Sequence, residues 1–180
     1  MMEFPSPGAF AAHLRRVQAT MPAAETAGLK MGAELIRDEA QASLGHYQIA
    51  NTGPFEAWAP LALATVEERE EQGYPPDDPL ERSRTLHDNI EMSVGVRGAR
   101  VGVPDRMVQL PYKRHEDNIG EIAEALEFGT QHIPPRSFLG LAAFRYGGAA
   151  AGLIGSVAAA ALAGMSLPKR RPPGFSTPHG

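Results

Sequence analysis

From Tyr146 to Leu167 the chain carries no charged side chain for 22 residues, and 15 of these are Gly, Ala or Ser. The stretch reads as part of one long helix, but one that cannot stand alone. Small side chains bury little apolar area, at roughly 25 cal/mol per Å2, so a neighbour has to pack on them. They also let a second backbone come close. Tyr146, Leu153, Ile154 and Val157 fall on one helical face with Met165 near its edge, and that face must turn to a sheet or to the next subunit of an assembly. The same length would span a bilayer, with Lys169, Arg170 and Arg171 just beyond it. Small residues give little transfer energy per position, and a one-sided stripe belongs to a helix packed on protein. A membrane anchor over 146–167 is therefore the alternative reading, and no membrane partner is expected.

With 180 residues, 43% of them apolar and 21% charged, the chain has the size and composition of one folded domain with its own core. It contains no cysteine, which removes disulfides, thiolate metal sites and cysteine nucleophiles. The net charge of -4 is unevenly spread. Acidic residues crowd the segment from Thr65 to Glu91. After Glu127 only basic ones remain: Arg136, Arg145, Lys169, Arg170 and Arg171. Opposite charge at two ends of a subunit suits head-to-tail association, although solvated faces produce such runs as well. The first residues, Met1 to Gly8, lack a basic segment followed by an apolar run, so no signal peptide is expected.

Phe10 to Ser43 carries Phe10, Leu14, Val17, Leu29, Ala33, Ile36 and Ala40 at helical spacing, with Pro22 expected to divide or kink the helix. A loop follows through Asn51-Thr52-Gly53-Pro54. Thr65 with Glu68 reads as a capping box opening a short helix that Gly73 stops, and a second short helix starts at Ser83 or Thr85. Ile90, Met92, Val94 and Val96 alternate, turn at Arg97-Gly98-Ala99, and are answered by Val101 and Val103: a β-hairpin with those four residues on its buried face. Met107 to Gly120 is loop-like, though Val108, Leu110 and Tyr112 also alternate. Ile122 to Phe128 is either a strand or a short helix. Ser137 opens the C-terminal helix, with Gly147-Gly148 the place where it would break, and the tail from Pro168 is expected to be flexible and basic.

No arrangement of catalytic chemistry emerges. The six histidines, His13, His46, His87, His115, His132 and His179, never stand three or four apart, so no two share a helical face as metal ligands. His115-Glu116-Asp117 reads as surface loop, and Glu67, Glu68, Glu70 and Glu71 as a solvated helix face. There is no nucleophile elbow and no phosphate loop. The expectation is a protein with no catalytic residues, no metal and no cofactor.

Three stretches, in order, resemble the tail-completion, head-tail joining and virion-morphogenesis proteins of tailed bacteriophages. The first is Trp58-Ala59-Pro60-Leu61-Ala62-Leu63-Ala64-Thr65. The second is Pro79-Leu80-Glu81-Arg82-Ser83-Arg84-Thr85-Leu86-His87-Asp88-Asn89-Ile90. The third is Glu127-Phe128-Gly129-Thr130 followed by Ile133-Pro134-Pro135-Arg136-Ser137-Phe138-Leu139. Where the family pattern has Thr-Gly, this chain has Ser83-Arg84, so either the turn differs or Arg84 sits at an ordinary φ.

The resemblance implies an α+β fold, with a small antiparallel sheet, a long N-terminal helix and the Ala-rich C-terminal helix in one domain over residues 1–167, and the basic tail over 168–180. It implies a homo-oligomeric ring in the neck or head-proximal tail of a virion, made in the host cytoplasm. Its partners would be portal, adaptor or stopper, tail-terminator and tail-tube proteins, with non-specific DNA in the channel. Assembly and structural roles then fall to Trp58, Leu86, Phe128, Gly129, Thr130, Pro135, Phe138 and Leu139, with Lys169, Arg170 and Arg171 as a docking arm.

Overall fold

The computed structural model describes residues 3–96 and 98–171. Its frame is a pair of helices. The first, α1 (Pro7–Ala42), is capped by Ser6, whose Oγ accepts from the Ala9 N–H at 3.1 Å, with proline in the first turn where its missing N–H costs nothing. It runs 36 residues without a break. Pro22 does not divide it: the residue forfeits a single backbone bond, and the packed face that starts at Ala24 holds the helix across that gap. The partner is α5 (Leu139–Leu162), which likewise runs through Gly147-Gly148.

These two helices lie antiparallel and close. A Cβ at Gly28 would sit 3.1 Å from the backbone of Ile154, and one at Gly32 would sit 3.3 Å from the Ala150 side chain. Glycine on one helix and small residues on the other let the axes approach, and Ala24, Met31, Leu35, Leu153, Val157 and Ala161 fill the seam. The neighbour that the Ala-rich stretch requires is thus α1 of the same chain.

Three shorter helices and four short strands lie between them in the chain. Leu63–Glu71 forms α2, which starts earlier than the expected capping box, so Thr65 lies inside the first turn and Ala62 is an unbonded cap. Gly73 stops it as expected: at φ 74 its N–H reaches Glu70 and the Tyr74 N–H reaches Arg69, closing the last turn. Thr85–Asp88 is α3. Arg84 takes φ -61, and the left-handed residue of this segment is instead Leu80 at φ 63, held there by a side chain buried in the core.

β1 (Glu91–Gly95) and β2 (Gly98–Gly102) form the antiparallel hairpin, pairing Met92 with Val101 and Val94 with Ala99, and it packs on α1. Ile90 is buried and Met92 and Val94 are half-buried, but Val96 is 93% exposed. The chain already turns at Val96, so the alternation of the strand no longer governs it. β3 (Met107–Gln109) and β4 (Glu116–Asn118) make a separate two-stranded sheet and do not extend the first. Residues 119–128 are helical, as α4 (Ile119–Phe128), with Asn118 Oδ1 accepting from the Gly120 N–H at 2.9 Å. The architecture is α+β. Its main core gathers Ala40, Leu44, Trp58, Leu80, Leu86, Ile90, Ile119, Ala123, Phe138 and Ala142.

The close helix contact makes two glycines on facing helices behave oppositely. Gly28→Leu should lower the melting temperature, by about 1–3 kcal/mol of overpacking. Gly155→Ala, where an added Cβ meets nothing within 4 Å, should stabilise by about 0.5–1 kcal/mol through helix propensity alone. Calorimetry on both variants checks the pair.

Candidate functional site

The last turn of α4 and the first turn of α5 are tied by one carboxylate. Glu127, 7% exposed, accepts at Oε2 from the N–H groups of Phe138 (2.9 Å) and Leu139 (3.0 Å), and at Oε1 from Gly140 (2.9 Å). These are first-turn amides that α5 itself cannot satisfy, and they carry the positive end of its dipole. The anion is therefore bound as a cap supplied by another helix. Gly140 fits the arrangement, since a Cβ there would sit 2.9 Å from Glu127 Oε1.

The loop between the helices is built to hold that geometry. Gly129 sits at φ 75, and a Cβ on it would meet the Pro135 nitrogen at 2.8 Å. Thr130 Oγ1 accepts from the N–H groups of His132 and Ile133, the Arg136 N–H donates to Leu126, and Ser137 Oγ donates to the Glu127 carbonyl. Arg136, 5% exposed, sends Nη2 to the carbonyls of Ala59 (2.8 Å) and Pro60 (3.2 Å). Burial pulls its pKa down, offset in part by Tyr47, and it stays a cation held by carbonyl oxygens.

This clasp brings together most of the residues singled out above. Trp58, Leu86 and Phe138 are buried in the same core and Leu139 packs against it. Gly129, Thr130 and Pro135 shape the loop. Phe128 stands apart, 75% exposed at the end of α4. Lys169 and Arg170 are exposed, while Arg171 pairs with Asp38 of α1 at 3.3 Å, so that cation of the expected docking arm engages its own chain. The rest of the expected flexible tail, residues 172–180, lies outside the described residues.

A second cluster sits on the acidic segment. The Arg82 guanidinium lies 4.0 Å over the Tyr112 ring, 5.2 Å over Tyr74, and 2.6 Å from Glu68. The contact with Arg82 holds the Glu68 carboxyl below its ordinary range. Burial pushes the Tyr112 phenol up. Elsewhere Asp117 pairs with Lys113 at 3.0 Å and His115 is largely exposed. Among the described residues no group of His, Asp and Glu is arranged to hold a metal ion.

Beside the clasp opens a groove of about 890 Å3, lined by Phe55, Val101, Val103, Leu139 and Ala143, with Asp105 and Glu124 on its wall and Phe128 at its rim. Sequence patterning does not reveal it. Neither does it reveal the role of Glu127, because a carboxylate at the end of an apolar helix gives no local sign that another helix starts on it. A signal did exist for one more contact. Arg145 is the one charge within α5, and it meets Glu39, a carboxylate standing between apolar Ile36 and Ala40, at 3.1 Å.

Comparison with protein-family models, with curated proteins and with solved structures finds no match to this chain.

Two outcomes follow from this geometry. Glu127→Ala leaves three first-turn amides without an acceptor and should cost about 2–3 kcal/mol, at ~1 kcal/mol or more per buried donor, read as a lower denaturation midpoint with an unchanged m-value. Tyr112, with its phenol raised, favours the folded state while neutral. That contribution is full below the ordinary tyrosine range and is lost as pH rises through the raised value. Tyr112→Phe should therefore move the alkaline unfolding midpoint upward, followed by circular dichroism.

Proposed function

We propose that this chain is a non-catalytic structural subunit of a tailed phage or phage-like particle, a neck or tail-completion protein that works as a ring joining head to tail around the DNA channel. The observation that supports the reading is a convergence. The three stretches that resemble the family are far apart in the chain, yet each places residues in one core or in the contacts that close it: Trp58 from the first, Leu80, Leu86 and Ile90 from the second, Phe138 from the third. The Arg136 bonds to Ala59 and Pro60 then tie the third stretch directly to the first. Residues shared with a family for reasons of fold would behave in this way, whereas an active site would gather polar groups at a cleft.

Under this reading the partners are further copies of the chain, the portal and adaptor or stopper on one side, the tail terminator and tail tube on the other. DNA in the channel would be met without sequence preference. No cofactor or metal enters the account. The membrane alternative rests on α5, which is long and apolar enough to cross a bilayer by length and composition. Against it, α5 carries Arg145 and joins α1 through a packed glycine seam, a contact that an inserted helix would have to give up.

The test is the assembly state of the full chain purified without detergent. Light scattering coupled to size exclusion, with negative-stain microscopy, should show closed rings of uniform subunit number. A monomer at every concentration, or recovery only in the membrane fraction, would overturn the reading.

A further inference from the structure

The contact geometry of the helix pair leaves part of α1 uncovered by α5. Gly28 faces Ile154 and Gly32 faces Ala150, so the last residue of α5, Leu162, falls level with residue 20. The portion of α1 before that point extends past α5 by about 20 Å at 1.5 Å per residue. None of its residues is buried; the first buried one is Ala24.

Yet the face that packs on α5 does not stop there. Phe10, Leu14 and Val17 continue the stripe of Met21, Ala24 and Gly28 at three- and four-residue spacing. Phe10 is 46% and Leu14 49% exposed. Phe4 folds onto this stripe, its ring 5.2 Å from that of Phe10. Arg15 and Arg16 stand on the side of the helix away from the stripe, giving this end of α1 a positive charge, and among the described residues neither is in an ion pair.

The groove beside the clasp offers the complementary surface. Its floor is apolar, from Val101, Val103, Leu139 and Ala143, and it carries Asp105 and Glu124, neither of them in an ion pair among the described residues. A helix segment with an apolar stripe and a net positive charge matches an apolar trough that carries two carboxylates. A chain cannot place its own arm there: the arm leaves the body at the far end of the α1/α5 pair from the clasp.

We propose that the groove beside the clasp receives residues 7–20 of α1 from a second copy of this chain, with Phe10 and Leu14 in the trough and the positive charge of Arg15 and Arg16 set over a groove that carries Asp105 and Glu124. Arm and groove are different surfaces, so the contact is head-to-tail, and repeated by rotation it closes a ring. The inference rests on the ring reading and supplies the contact that would build it. It also gives the unpaired end of α1 a reason to be helical, since an exposed extension of this length has little to hold it in water.

Two variants of the full chain separate the surfaces. Phe10→Asp with Leu14→Asp spoils the arm and leaves the groove. Ala143→Trp fills the groove and leaves the arm, at a position exposed on α5. Both lie outside the buried core, so unchanged melting curves confirm folding. Each variant alone should be monomeric in light scattering under conditions where the wild type assembles. An equimolar mixture should give a dimer of one copy of each and nothing larger, because only one arm and one groove remain intact. Variants that still assemble like a wild-type ring would overturn the arm-in-groove contact while leaving the ring reading in place, as would a mixture that stays monomeric. A wild type that never assembles would remove both.

Discussion

The Glu127 carboxylate at the N-terminus of α5 is the contact on which the rest of the structure depends. A helix of 24 residues made mostly of Gly and Ala has little side-chain area with which to fix its own direction. Its first turn is fixed instead by three N–H bonds to a buried anion, which combine charge-assisted hydrogen bonding with the helix dipole. Once the start is set, Phe138 enters the main core beside Trp58 and Leu86, and the remaining turns are aimed along α1. Gly129 and Arg136 serve the same end, one by allowing the reversal, the other by tying it to the chain at Ala59 and Pro60.

Along α1 the dependence passes to packing. Gly28 and Gly32 let α5 approach to backbone distance, and the Glu39 to Arg145 pair sits where that seam meets the main core. Small residues on α5 thus serve an intramolecular contact. The consequence for assembly lies in what that contact omits: one helix is longer than the other, and its apolar face runs on past the last turn of its partner. For a protein proposed to act as a ring subunit, an unsatisfied arm at one end and an apolar groove at the other are the expected shape of a protomer.

What could be read in advance follows the range of the interactions. The buried face of β1 was legible from Ile90, Met92 and Val94 because strand alternation is a local property, though the turn expected at Arg97-Gly98-Ala99 was not, since Gly98 and Ala99 already belong to β2; Gly73 announced its helix end because only glycine takes that conformation at low cost. Val96 misled because the turn begins one residue sooner than the pattern does. Pro22 leaves the helix undivided for the converse reason, since tertiary packing from Ala24 onward outweighs a single lost backbone bond. Residues 122–128 were ambiguous to periodicity, and the helix there is decided by the Asn118 cap and by the core beneath Ala123. The roles of Glu127 and Arg136 depend on elements met only after folding. Their place in a recognisable stretch could be read, but their chemistry could not.

Hydrogen exchange at individual amides tests the central contact most directly. The N–H groups of Phe138, Leu139 and Gly140 open a helix, and first-turn amides ordinarily have no acceptor and exchange early. Bound to Glu127, they should exchange as slowly as the amides around Leu153 in the buried middle of α5. Exchange of these three at the rate of an uncapped helix end, with the α5 interior still protected, would contradict the account.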